Sequence, residues 1–162
     1  MVWGQPHTHE GVHRMTTLLA FDPAAERRVS DTGWAWGYFD DTTPFTLQDG
    51  GVIHGGFEGF CQWVREHKYP VVDTTIVEHF IMFNRKADPT PLLVEGVIRF
   101  RWPDTVLQPS TGKNTLVSDD ELKAYGLWDT VGHHHDFLEA SRHALVYLVK
   151  QRHVPTLRQL KA

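Results

Sequence analysis

Two acidic residues of this sequence stand where apolar stretches stop. Asp22 follows Leu18-Leu19-Ala20-Phe21 and precedes Pro23, and Glu78 follows Thr74-Thr75-Ile76-Val77. A carboxylate at the end of a buried strand costs free energy unless it is paired, hydrogen-bonded or bound to a metal. Taken singly, each has a plainer alternative as the polar first residue of a loop. Two such placements in one short chain weaken that alternative. A further pair, Asp136 and Glu139 in HHHDFLEASRHAL, is spaced by three. On a helix that spacing turns two side chains only about 60° from one another, so both project from one face. The plain alternative for this pair is an acidic first turn favoured by the helix dipole. Four carboxylates gathered in one site are hard oxygen donors of the kind that Mg²⁺ and Mn²⁺ take. Two such ions about 4 Å apart activate a water and stabilise the leaving oxygen of a phosphodiester.

The intervening elements must bring these residues together. Residues 16–21 form a short apolar run stopped by Asp22-Pro23, the pattern of a buried strand ending in a turn. Residues 32–39 alternate strictly, with Trp34, Trp36 and Tyr38 on one face and Gly33, Ala35 and Gly37 on the other, which is strand periodicity. Residues 45–54 read as a third strand interrupted by a turn at Asp49-Gly50-Gly51. A helix is expected over 57–67, opened by Gly55-Gly56 and carrying Phe57, Phe60, Cys61 and Val64 at helical spacing. A strand over 71–78, a helix over 89–101 and a brief strand at Val106-Leu107 follow. Ser118 and Glu121 have capping-box spacing for a short helix. A long helix over 134–152, with Leu138, Leu145 and Leu148 in its buried stripe, closes the chain. Three early strands followed by alternating helices and strands predict an α/β fold, a mixed sheet with an antiparallel front flanked by helices.

Composition narrows the classes of function. The 162 residues suffice for one domain, and 41% hydrophobic with 22% charged residues is a globular balance. No apolar run approaches the roughly 20 residues that span a bilayer, so no membrane partner is expected. Residues 1–14 read as a flexible leader that lacks the apolar core of a secretory signal. Met15 is an alternative start, and His7, His9 and His13 could bind a metal adventitiously. The remaining residues, 15–162, form the single domain. The lone Cys61 excludes an internal disulfide, suits a reducing cytosol and reads as a packed residue. The net charge is -4, yet residues 140–162 contain no Asp or Glu against Arg142, Lys150, Arg152, Arg158 and Lys161. That local charge can neutralise phosphates, or it can be the solvated cationic end of a helix. Arg85 and Lys86, shortly after Glu78, are further phosphate contacts or ordinary solvated charges.

The order and spacing of Asp22, Glu78, Asp136 and Glu139 resemble the acidic set of RuvC-like Holliday-junction resolvases, within the ribonuclease-H-like nuclease superfamily. Local wording is similar to the phage branch: FDPA near the start, DELKAYGLW before the last helix, and EASRHAL within it. The similarity runs over about residues 17–148. It implies a ribonuclease-H-like fold and a metal-dependent endodeoxyribonuclease of recombination and repair, with Asp22, Glu78, Asp136 and Glu139 catalytic and metal-binding. It implies Mg²⁺, replaceable by Mn²⁺, at about two ions per site. It further implies a homodimer on branched DNA, cutting in the cytoplasm (the host's, if phage-encoded). Glu139 stands where the family usually has Asp. Some relatives use His in this helical pair, so His135 or His143, one turn to either side of Glu139, could share the metal. Lys113, in QPSTGKN, falls where such proteins set basic residues against DNA, and with Arg85, Lys86 and Arg142 it makes up the expected DNA contacts. The same loop fails as a nucleotide-binding motif, because Leu107 replaces its first Gly and Asn114 its Ser or Thr, so no nucleotide cofactor is expected. The resulting expectation is two-metal hydrolysis of Holliday-junction or other branched DNA. Alternatives are a structure-selective nuclease acting on forks, flaps or RNA–DNA hybrids, an idle junction-binding protein on the same fold, and a His-rich metal-binding protein.

Overall fold

A computed structural model describes residues 14–24, 31–67, 71–82, 86–128 and 135–162. The leader histidines His7, His9 and His13, together with Arg85, His133 and His134, lie outside the described residues. Five strands, β1 (Thr16–Pro23), β2 (Thr32–Phe39), β3 (Thr46–Ile53), β4 (Thr74–His79) and β5 (Val106–Pro109), form one sheet in the order β3-β2-β1-β4-β5. The β1–β2 and β2–β3 pairs are antiparallel, whereas β1–β4 and β4–β5 are parallel. This is the mixed α/β sheet with an antiparallel front that the element order predicts.

The period of two along each strand decides what lies on each side. Leu19, Phe21 and Val77 pack with Phe60 of α1 (Gly56–Glu66) and with Val94 and Ile98 of α2 (Thr90–Arg101). Their neighbours Leu18, Ala20 and Ile76 face the opposite way, onto Ala144, Leu145 and Leu148 of α5 (His135–Lys150). Asp22 and Glu78 continue that second series, so both project toward α5. Sequence parity fixed the face. The parallel pairing then makes the two acids neighbours, because Phe21 is aligned with Val77 immediately before them.

The third strand corrects the expectation of a turn at Asp49-Gly50-Gly51. β3 runs unbroken through it, with Gly50 opposite Ala35 and Gly51 opposite Trp34. The irregularity is a bulge instead: Trp36 pairs with Asp49 and Gly37 with Leu47, leaving Gln48 as the extra residue. The glycines serve close approach. A Cβ on Gly50 would lie 2.3 Å from the Phe137 ring, and one on Gly33 would lie 1.8 Å from the Asp136 backbone oxygen. Gly33 pairs with Asp22 across the strands, so the first turn of α5 rests directly beside the acidic strand end. Gly33→Ala is therefore expected to destabilise the protein by about 3 kcal/mol, the upper part of the range for overpacking. Gly96→Ala, inside α2 with open space around it, is expected to stabilise it by about 0.5–1 kcal/mol. Urea titrations of the two variants check the pair; equal shifts would remove Gly33 from its packing role.

Three short helices complete the chain. α3 (Lys113–Leu116) follows β5, and α4 (Asp119–Tyr125) begins with the Ser118–Glu121 capping box. The long helix stops at Lys150, and Arg152, with φ 56, turns the chain into α6 (Val154–Leu160). The tail thus packs through α6, while its cations Lys150, Arg152, Arg158 and Lys161 stay exposed to solvent. Thr156 accepts a hydrogen bond from the Phe45 N–H at 3.1 Å, and Leu160 joins the core. No helix among the described residues is long and apolar enough to cross a membrane.

Candidate metal centre

Asp22 is 6% exposed at the end of β1. Burial raises its pKa well above the ordinary carboxylate value, and the charges of Glu78, Glu139 and Asp136 push the same way. Only Lys113 opposes them strongly enough to register. A buried carboxyl surrounded by three others is an electrostatic deficit that a cation corrects.

Glu78, one strand over, is better compensated. Its Oε2 lies 2.6 Å from His143 Nε2 and 2.6 Å from Lys113 Nζ. Burial pushes its pKa up, but the hydrogen bonds from His143 and Lys113, followed by the electrostatic attraction of both side chains, outweigh burial and hold it at about 2. Glu139 comes from the second turn of α5. Its Oε2 is 2.7 Å from the same ammonium, and its Oε1 receives the Arg142 guanidinium Nε at 3.2 Å. Burial opposes ionisation of Glu139 too, and the Lys113 bond and charge, with Arg142, bring the pKa below the ordinary value. For Lys113 burial favours the neutral amine, but the Asp22 charge and the bonds to Glu139 and Glu78 raise its pKa instead.

One ammonium therefore bridges carboxylates from β4 and α5, beside a third from β1. Among the described residues, Asp22, Glu78 and His143 also offer ligand atoms all within 4.8 Å of one another. Carboxylate oxygens this close, that of Asp22 raised in pKa first by burial and then by the neighbouring carboxylates, fit a hard divalent ion. Asp22, Glu78 and Glu139 are the residues that would hold it.

The other expected residues fall in different places. Asp136, half-buried in the first turn of α5, raises the Asp22 pKa as Glu139 does, and like Glu139 it is not one of the three residues within 4.8 Å; Glu139 is joined to them through Lys113. His135 is exposed one turn before Glu139, whereas His143, one turn after it, is fully buried against Glu78. Lys86 is exposed. Arg142, expected as a DNA contact, is 2% exposed, and its guanidinium bonds Glu139, the Val117 carbonyl and the Asp119 carboxylate. Its place in a helix stripe that also carries Leu138 and Leu145 is the sequence signal of that burial.

No protein-family model and no curated protein matches this sequence. Solved structures do match. Thermus thermophilus RuvC in complex with Holliday junction substrate superposes with a TM-score of 0.58 at 13% identity, over 86% of this chain and 97% of that one. The chain has a RuvC-like fold. A further T. thermophilus RuvC structure gives a TM-score of 0.55 at 10% identity, over 85% of this chain and 98% of the other. At such identities the likeness is one of fold, and the chemistry must be argued from this chain's own residues.

Within this RuvC-like fold one residue escaped sequence reasoning. Gln108 is aligned with Glu78 on β5, points to the α5 side and is 2% exposed. A last strand of Val106-Leu107 alone puts Gln108 in a loop, where a polar residue carries no information. The alternation of Val106 and Gln108 was the available signal, but two positions are too few to establish a period.

Proposed function

We propose that this protein is a divalent-metal-dependent endonuclease that hydrolyses phosphodiesters of branched DNA, Holliday junctions among them. The observation that carries the reading is the half-buried Lys113 ammonium shared by Glu78 and Glu139 beside Asp22. Carboxylates from two adjacent strands and a helix converge on a point that takes positive charge. The branched substrate is supported by the RuvC-like fold, one solved example of which is bound to Holliday junction substrate. The phage-type wording FDPA, DELKAYGLW and EASRHAL supports assignment to that branch, acting in the host cytoplasm as a homodimer whose two sites cut opposing strands.

In this reading Asp22, Glu78 and Glu139 hold Mg²⁺ or Mn²⁺, two ions per site, with Asp136 at the rim. Bound ions supply the charge that activates water and stabilises the leaving oxygen. The protein's own part is positioning. Arg142 holds one oxygen of Glu139 and leaves the other toward the centre, and His143 fixes Glu78. A bound ion would free Lys113 to meet a phosphate of the substrate, and Lys86 and Arg85 are proposed as further phosphate contacts. A cleavage assay over four-way junction, fork, flap, linear duplex and RNA–DNA hybrid substrates, with Mg²⁺ and with Mn²⁺, tests the reading. Preferential cutting of the junction supports it, and no cutting of any substrate by the folded protein overturns it.

The lysine gives a separate prediction. Lys113→Met should lower the melting temperature of the metal-free protein by several degrees, because the carboxylates lose their shared partner. Millimolar Mn²⁺ should raise it more in the variant than in the wild type, since the ion no longer competes with an internal cation. Thermal melts with and without Mn²⁺ read both effects, and an equal Mn²⁺ shift in the two proteins would contradict the competition.

A further inference from the structure

The side-chain amide of Gln108 decides what His143 can do. Its nitrogen lies 3.0 Å from the His143 backbone oxygen and 2.8 Å from His143 Nδ1. A backbone carbonyl only accepts, so the end of the amide facing it must be the NH₂. The flipped amide would press its own oxygen against that carbonyl in a buried site, with no donor between them. With the NH₂ in place, one hydrogen goes to the carbonyl and the other meets Nδ1, which therefore presents its lone pair. An imidazole that accepts at Nδ1 carries its proton on Nε2. Nε2 is 2.6 Å from Glu78 Oε2, which accepts it. His143 has no exposure, so water does not substitute for either partner. The chain of donors runs in one direction, from Gln108 through His143 to Glu78.

We propose that Gln108 is a positioning residue that holds His143 as a hydrogen-bond donor to Glu78, withholding the imidazole from the metal and leaving a site of carboxylate oxygens selective for hard ions. Asp22, Glu78 and His143 have the spacing of a three-ligand centre, but the histidine nitrogen turned toward it bears a hydrogen and offers no lone pair. Releasing that lone pair requires the proton to move to Nδ1, against the Gln108 NH₂. Nitrogen ligation is what would favour Zn²⁺, Co²⁺ or Ni²⁺ over Mg²⁺ and Mn²⁺. Gln108, which touches neither ion nor substrate, thereby sets the class of metal. The tautomer follows from the hydrogen bonds alone, whereas the selectivity rests on the metal-centre reading above.

The test separates the two. Long-range ¹H–¹⁵N correlation spectra of the metal-free wild type, in mildly alkaline buffer, should show His143 protonated at Nε2 and bare at Nδ1. The reverse pattern overturns the proposal without touching the nuclease reading. Gln108→Glu, which accepts from Nδ1–H, and Gln108→Leu, which removes the constraint, should each tighten Zn²⁺ binding relative to Mn²⁺ by about 10-fold or more, within the range for residues that orient a ligand. Cobalt-substituted samples of both variants should gain the visible absorption of nitrogen-ligated Co²⁺. An unchanged Zn²⁺/Mn²⁺ ratio in the folded variants overturns the selectivity. Gln108→Leu preserves the test if Gln108→Glu does not fold. Failure of the folded wild type to bind Mn²⁺ overturns the metal centre and the selectivity together, while the tautomer is still decided by the spectra.

Discussion

Asp22→Asn should reduce cleavage by on the order of 10³-fold, equivalent to about 4 kcal/mol of transition-state stabilisation, while making the metal-free protein more stable. Both effects come from one charge. Asp22 supplies a hard oxygen to the centre, and an amide holds a divalent ion less well. Without metal the same carboxylate is buried among Glu78, Glu139 and Asp136, and its pKa is raised. A carboxyl with a raised folded-state pKa opposes folding wherever it is ionised, and the opposition fades as pH falls through that pKa. The variant's advantage is therefore expected at neutral pH, about 0.5–2 kcal/mol as for other relieved functional sites, and should shrink on acidification. Glu78 acts in the opposite sense. Its pKa of about 2 means its stabilisation is complete above the unfolded value and is lost as pH falls toward 2. Urea titrations of the metal-free wild type and Asp22→Asn across pH, alongside junction cleavage with Mg²⁺, measure both. Full activity would remove Asp22 from the centre. Reduced stability of the variant at neutral pH would show that Asp22 is already well compensated.

Arg142→Met should be the most destabilising single change in α5, costing about 3–5 kcal/mol as is usual when one partner of a buried ion pair is removed. The guanidinium is buried and joins Glu139 at 3.2 Å, the Val117 carbonyl and the Asp119 carboxylate. It thereby ties Val117, which follows α3, and Asp119, which opens α4, to the helix that carries Glu139. Removing it leaves a buried carbonyl without this donor and shifts the whole burden of Glu139 onto Lys113. If the stranded charge is the main cost, the double variant Arg142→Met/Glu139→Gln should recover a substantial part of the loss. Denaturant midpoints at unchanged m-value give the comparison. A loss within 1 kcal/mol for Arg142→Met would show that the three partners are satisfied elsewhere.

Periodicity and residue chemistry are written along the chain. Alternation in 16–21 and 32–39, capping at Ser118 and helical spacing after His135 are local properties, so the strands, the helices other than α3 and α6, and the mixed sheet are legible. So are Asp22 and Glu78, because a carboxylate that ends an apolar strand is anomalous within a few residues of its own neighbours. The Asp49-Gly50-Gly51 segment misled for the same reason: Gly50 answers to Phe137 of α5, more than eighty residues away. Only the tertiary structure could show that β1 and β4 pair in parallel and in register, which sets two strand-end acids side by side. It also decided which cations are inside. Lys113 and Arg142 look like surface charges in the sequence, but the excess of buried carboxylate at the junction of sheet and helix draws both inward. Gln108 gained its role the same way, since a hydrogen-bond direction exists only once β5 lies against α5 and the His143 carbonyl dictates which end of the amide it must meet.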